Sequence, residues 1–330
     1  MDSTRTSVNT LLDPFVPAVS SWTLVTAARL GLFECLARGP LSPDEISDRL
    51  GIDREGIGRL LALLEHSGYL HKRGTRFALT PVARQTIGPD AHPSFINWLR
   101  FSRFQLMVLE RLEHCVRSGE KIDMLALMQS PEDLEVWQLA MAETAVPIAN
   151  WVAEQITLPP DAERMLDIGG SHGVYSSAVC RRHPGLKADI LELEPVVNIA
   201  RHVAENLGTS HHLNYLTGDI RSVRLERTYD AIFLSNLIHH LDPDQLNAVL
   251  GKIFAHLRRG GTIAVWDFVE QQGEIDAVTA SFSLLFHITS GGRCYAESAI
   301  VDHLIKAGFT DVVTATPGGP TGHTLFVARA

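Results

Sequence analysis

Basic charge is in short supply. Twenty-nine Lys and Arg stand against 38 Asp and Glu, a formal net charge of -9, and so thin a cationic complement argues against a general binder of nucleic acid or anionic membrane. Cysteine is scarcer. Its four copies, Cys35, Cys115, Cys180 and Cys294, form no C-x-x-C pair and lack a neighbouring His at zinc-finger spacing, which excludes a disulfide framework and a structural zinc site and fits reduced thiols in a cytoplasm. No apolar run reaches the roughly 18 residues of a membrane helix. The opening MDSTRTSVNTLL has no basic stretch followed by an apolar core, so no signal peptide is expected. Internal repeats and low-complexity tracts are also missing. The expectation is a soluble cytoplasmic protein whose partner is a small molecule, with no bound metal.

What is present is the balance of an ordinary globular chain, 45% hydrophobic and 20% charged, and 330 residues are enough for two cores. From about Ser20 to Ala37 the apolar residues keep helical spacing and read as one buried helix. Ser42, Pro43 and Glu45 open a second helix as a capping box that Gly51 closes, and Asp53 caps a third. YLHKRGTRFALT alternates around Gly74 and reads as a two-stranded wing. This winged-helix order occupies 1–91. Residues 92–160 have a helical pattern throughout, with apolar faces marked by Trp98, Phe104, Trp137 and Trp151, and Pro159-Pro160 closes the segment. From 161 to 330 strands alternate with helices, as in a mostly parallel sheet covered on both faces. The last two strands, separated by a turn containing Gly318, Gly319, Pro320 and Gly322, are expected to pair antiparallel.

The most informative stretch is MLDIGGSHGVYS. Gly169, Gly170 and Gly173 permit a tight turn and close approach of backbone N–H groups to a ligand. Ser171 and Val174 break the G-x-G-x-x-G fingerprint of dinucleotide enzymes. Asp167, at the mouth of the turn, would repel a pyrophosphate but suits the ammonium group of a bound amino acid, which favours S-adenosylmethionine. Glu192 ends the next strand, where a carboxylate accepts bonds from ribose hydroxyls, and Asp219 in TGDI is placed to meet the adenine amino group. Ile220 and Ser235 complete the expected cofactor set. Any one of these acids alone reads as a solvated strand end or a cap; three at consecutive strand ends beside a glycine turn read as a site.

Taken in order, LSPDEISDRLGIDREGIGRLLALLEHSGYL, LDIGGSHG, LELEPVVNIAR, GDI, SNLIHHLDPDQ, LRRGGTIAVWDFV and SGGRCYAESAIVDHLIKAGF resemble the plant-type O-methyltransferase family and its bacterial relatives in secondary metabolism. The resemblance implies a Rossmann-like class I methyltransferase domain behind a winged-helix dimerisation domain, hence a homodimer. It implies S-adenosylmethionine as cofactor, S-adenosylhomocysteine as product, and a small aromatic, phenolic substrate. The family's general base falls on His239, and Asp267 stands where relatives carry a glutamate that orients it. His240 replaces the usual Asp. The family's second supporting glutamate falls on Cys294, which leaves methylation at carbon or nitrogen open beside methylation at oxygen. Phe282, Phe286, His240 and Cys294 are the candidate substrate-pocket residues, with packing the simpler account of the two phenylalanines. Cys294 reads as pocket wall and not as a nucleophile. Neighbouring residues on an extended strand face opposite ways, so His239 and His240 are not expected to share a metal. Asp242, Pro243 and Gln245 read as the cap of the following helix.

Two rival classes are weighed against this reading. A winged-helix regulator would need a recognition helix rich in basic and polar groups, and REGIGRLLALLEHS offers only Arg54 and Arg59. A NAD-linked dehydrogenase is disfavoured by the broken glycine fingerprint and by Asp167.

Overall fold

The computed structural model describes residues 12, 14–270, 276–317 and 322–330. The chain divides into two compact units, Met1–Arg103 and Phe104–Ala330.

In the first unit, α1 (Phe15–Arg29) and α2 (Leu32–Ala37) replace the single helix expected from Ser20 to Ala37. Gly31 lies between them in the left-handed region at φ 74, a conformation that glycine adopts without strain. Then come α3 (Pro43–Leu50), α4 (Arg54–His66) and the hairpin β1 (Leu70–Arg73) and β2 (Arg76–Leu79). The caps fall where the sequence put them. Ser42 and Glu45 form the reciprocal box, Gly51 ends α3 at φ 65, and Asp53 accepts from Gly56 N. Leu32, Phe33, Leu36, Ile46, Leu61 and Leu70 fill the core of this unit. α5 (Pro81–Thr86) follows, and α6 (Ile96–Leu109) crosses the division between units.

The second unit continues through α7 (Leu112–Ser118), α8 (Met124–Leu127), α9 (Pro131–Ala145) and α10 (Ala149–Gln155). Its sheet alternates strand and helix: β3 (Arg164–Ile168), α11 (Val174–Arg182), β4 (Lys187–Glu192), α12 (Glu194–Asn206), β5 (Leu213–Thr217), β6 (Tyr229–Ser235), α13 (Pro243–His256) and β7 (Leu257–Glu270). After α14 (Ala277–Ser290) come the two-residue β8 (Tyr295–Ala296), α15 (Glu297–Lys306), β9 (Thr310–Ala315) and β10 (His323–Arg329). The strand order is β5-β4-β3-β6-β7-β10-β9, with β8 beside β7; β10 runs antiparallel to both its neighbours. The expected pairing of the last two strands is therefore present, while Gly318, Gly319 and Pro320 of their turn lie outside the described residues, as does most of MDSTRTSVNTLL.

Successive side chains of a strand point to opposite faces, and both faces here are apolar. Leu166, Ile168, Ile232, Leu234, Ile263 and Val265 pack on one side with α13 and α15. Met165, Ala231, Phe233, Ala264 and Trp266 pack on the other with α10 and α11. A sheet buried on both sides has its functional edge at the carboxyl ends of its parallel strands. Among the described residues, no helix is long and apolar enough to cross a membrane.

Candidate active site

The turn after β3 is built around two close approaches. A Cβ on Gly170 would sit 2.4 Å from the Asp167 carboxyl carbon, and one on Gly173 would sit 2.3 Å from Leu213 Cδ1. Either added group would force the facing side chain to shift, and Gly173 also holds φ 67, a conformation that glycine adopts without strain. At the crest, Ser171 is held at φ 49 by bonds from three elements. Its N–H donates to Glu192 Oε2 (3.2 Å), its carbonyl accepts from Tyr215 Oη (2.9 Å), and its hydroxyl bonds Gln138 Oε1 on α9.

Asp167 lies beneath this turn and not at its mouth, and is 1% exposed. Ser176 Oγ donates to its Oδ2 at 2.5 Å, while Oδ1 is buried without a hydrogen-bond partner, as is Gln138 Nε2. Burial, and to a lesser degree the nearby Glu192, push the carboxyl up to about 7, although the Ser176 bond acts the other way. A buried carboxylate oxygen with no donor is costly, and it is suited to a cationic ligand that supplies one. Glu192 is also buried. Its oxygens accept from Leu193 N and Ser171 N, and burial raises its pKa. Burial pushes neighbouring His172 down to about 4, leaving a neutral ring whose Nδ1 accepts from Val174 N.

The remaining members of the expected cofactor set differ in character. Asp219 is bound by Arg221 of its own loop through the backbone N, Nε and Nη2, and this pairing lowers its pKa. Ile220 is a core residue whose carbonyl is held by Lys252 Nζ at 2.6 Å. Ser235 ends β6 opposite Trp266. Next to it Asn236, at φ 51, meets His323 of β10 at 2.8 Å, and that ring packs on Trp266 and Phe268. Ser176 closes the flagged stretch MLDIGGSHGVYS without having been singled out, and Tyr215, Gln138 and His323 lie in no motif. Ser176 meets Asp167 from the first turn of α11, and the other three join the site through sheet order and helix packing.

At the end of β7, Asp267 is fully buried and uses both oxygens. Oδ2 accepts from Leu237 N (3.0 Å) and Ile238 N (2.9 Å); Oδ1 accepts from Phe268 N (2.8 Å) and lies 2.5 Å from His239 Nδ1. The carboxylate thus caps the 3₁₀ turn Ile238–His240 and holds the imidazole that the turn carries. Burial works against its charge, but the attraction and hydrogen bond of His239, with a contribution from His323, keep the carboxyl below its usual range. Phe286 stacks on the buried His239 ring at 3.7 Å, nearly parallel, and Phe282 stacks on Phe268. Arg293 N donates to the His239 carbonyl at 2.9 Å.

The expectation that His239 and His240 diverge is overturned. They sit in a tight turn and not on an extended strand, and their rings converge, Nε2 to Nε2 at 3.1 Å. Among the described residues, no cluster of three His, Cys, Asp or Glu could hold a metal. Cys294 is buried behind α14, its Sγ directed at the Thr279 carbonyl, and burial pushes the thiol up to about 12, so it is not a nucleophile at neutral pH. With Glu270, Ser283, His287 and Arg293 it lines a surface cavity of about 490 Å³.

The comparisons with known proteins identify the family. The family model described as the O-methyltransferase domain matches residues 121–310, and the O-methyltransferase dimerisation domain matches 16–87. The 3-hydroxy-5-methyl-1-naphthoate 3-O-methyltransferase of Streptomyces sahachiroi is 26% identical over 90% of this chain and 88% of its own. The tetracenomycin polyketide synthesis 8-O-methyl transferase of Streptomyces glaucescens is 27% identical over 93% and 92%. In fold, the chain is similar to human N-acetylserotonin methyltransferase solved in complex with SAM, with a TM-score of 0.86, 20% identity, and coverage of 100% of this chain and 99% of that one.

Proposed function

Because the chain belongs to the O-methyltransferase family and is a methyltransferase dependent on S-adenosylmethionine, we propose that it methylates a phenolic hydroxyl of a small aromatic metabolite, with His239 as general base. The observation that carries this reading is the buried Asp267–His239 pair, placed at the same carboxyl edge of the sheet as the glycine turn with its partnerless Asp167 oxygen.

Asp167 would take the ammonium of the cofactor, Glu192 its ribose hydroxyls, and the turn of Gly169, Gly170 and Gly173 its backbone contacts, with Ser235 and Ile220 alongside. Asp219 would reach the adenine amino group by sharing itself with Arg221. The bound cofactor supplies an electrophilic methyl group on a sulfonium. The protein's own contribution is orientation and one proton. Asp267 accepts from Nδ1 and so leaves the lone pair of His239 on Nε2, where it can take the hydroxyl proton as the oxygen becomes nucleophilic. Phe286 covers one face of the ring and keeps water from it; Phe282 is the candidate substrate contact beside it. Holding two reactants in line in a dry pocket contributes most of the rate.

The reading of the winged helix as a homodimerisation module is supported by its surface. Phe15, Val16, Val19 and Trp22 of α1 are exposed, whereas both arginines of α4 are already paired, Arg54 with Asp44 and Asp48, Arg59 with Glu55.

Purified protein given methyl-labelled cofactor and a panel of phenols, naphthols and hydroxyquinones should transfer label to oxygen. Transfer to a ring carbon, read by mass spectrometry and acid-stable label, would replace the oxygen reading. Absence of transfer with cofactor bound would overturn the substrate class.

A further inference from the structure

Glutamine is ordinarily a surface residue, yet Gln138 lies on the buried face of α9 with Ala142 and Ala145 and has none of its own surface exposed. α9 packs against α11 and α12. Gln138 Oε1 accepts from the Ser171 hydroxyl at the crest of the glycine turn, which leaves the two hydrogens of Nε2 without an acceptor among the described residues. Burying a donor in this way is costly, and packing does not explain it, because Leu or Met would fill a similar volume without the penalty. Beneath the same turn, Asp167 Oδ1 has the opposite lack, an acceptor without a donor. Ser171 connects the two: its hydroxyl is on Gln138, and the neighbouring Gly170 lies against the Asp167 carboxyl. A ligand can be judged by whether it satisfies both atoms. A phosphate offers acceptors to Nε2 but no donor to Asp167, and a simple amine offers the donor alone. An α-amino acid end, with ammonium and carboxylate on one carbon, offers both. The neutrality of the amide also suits the place. Asp167 and Glu192 are both buried here, and a Lys or Arg would pair with these acids itself, whereas an amide binds an anion without neutralising either.

We propose that Gln138 recognises the carboxylate of the cofactor's amino acid end, with Nε2 donating to it while Asp167 accepts from the ammonium on the same carbon. This rests on the reading of Asp167 given above. It makes α9, which precedes the strands of the sheet, part of the cofactor site. S-adenosylmethionine and S-adenosylhomocysteine share this end, so the contact holds both alike. Its loss therefore raises KM for the cofactor and leaves kcat nearly unchanged. The contact also sets a specificity: nucleosides that lack the carboxylate leave the Gln138 amide buried and unpaired, and are bound more weakly for that reason.

The test compares two ligands that differ only in that carboxylate, S-adenosylhomocysteine and its decarboxylated analogue S-adenosyl-3-thiopropylamine, by calorimetry on the full chain. The wild type should bind the first more tightly. Gln138→Met should remove about tenfold or more of this preference, weakening S-adenosylhomocysteine while leaving affinity for the amine unchanged. A preference as large as that of the wild type overturns the proposal. Equal weakening of both ligands does so too, since that is the mark of a turn disturbed through Ser171. Gln138→Glu keeps an oxygen for the Ser171 hydroxyl and sets a second one against the carboxylate, so S-adenosylhomocysteine should lose more affinity than with Met. Unchanged or tighter binding by Gln138→Glu would mean that the side chain offers oxygen to the ammonium, and the carboxylate assignment would fall. Should Gln138→Met not fold, Gln138→Glu reads the same difference between the two ligands. Asp167→Asn separates the two claims, because both ligands keep the amine and should weaken together. If neither weakens, the ammonium reading of Asp167 fails, while the Gln138 comparison still decides the carboxylate.

Discussion

At the scale of single residues, the site depends on acids whose surroundings have been set in opposite directions. Asp267 is held ionised by its donors and His239, and Asp267→Asn would place an amide N–H₂ against groups that need an acceptor. We expect kcat to fall by about a hundredfold or more with S-adenosylhomocysteine affinity retained, measured by steady-state kinetics and calorimetry. Burial holds the Asp167 carboxyl protonated up to about 7, against an ordinary value of 3.8. Between those values the folded chain keeps a proton that the unfolded chain has released, so the contribution of Asp167 to stability declines as pH rises from about 4 to about 7. A cationic ligand favours the ionised form and reverses the preference. The rise in melting temperature on adding S-adenosylhomocysteine should therefore grow from pH 5.5 to pH 8 by differential scanning fluorimetry, and Asp167→Asn should flatten that dependence.

Among the elements, the loop Gly291–Cys294 is the one that seats His239, the proposed base. A Cβ on Gly292 would lie 1.7 Å from the His239 carbonyl oxygen, an overlap that only backbone movement relieves. Gly292→Ala should cost more activity than stability, because the displaced group is the turn carrying His239; kcat and the urea midpoint, measured on the same preparation, check this. This loop also shows where sequence reading ends. The capping boxes at Ser42 and Asp242 were legible because a cap is local chemistry within four residues, and the alternation of strand and helix because a doubly buried sheet leaves near-continuous apolar runs. The break at Gly31 was hidden, since the apolar spacing continues across it. β8, two residues long, has no period to detect. The meeting of His239 with His240 needed the 3₁₀ turn, which Asp267 imposes from a strand 28 residues away, and the stacking of Phe286 needed α14 to be packed. Sequence located the acids and the histidines; it could not tell which were buried or how they were paired.

For the whole molecule, the assembly is the matter to be measured. The exposed apolar side chains on α1, with Phe15 at 65% and Trp22 at 36% exposure, are what a helix shows when its partner surface is on another chain. Sedimentation equilibrium should find a dimer for the wild type, and Phe15→Asp combined with Trp22→Asp should shift it towards monomer. A variant that stays dimeric would place the contact elsewhere in the N-terminal unit.

Ser171, bent into a left-handed conformation, is moored to α9, β4 and β5 together. Repacking in any of those layers is thereby transmitted to the turn that we propose holds the nucleoside, as a change of tilt. Distant, chemically silent substitutions can thus tune how long spent cofactor lingers, a route by which descendants of this enzyme could alter turnover while the reacting groups stay untouched.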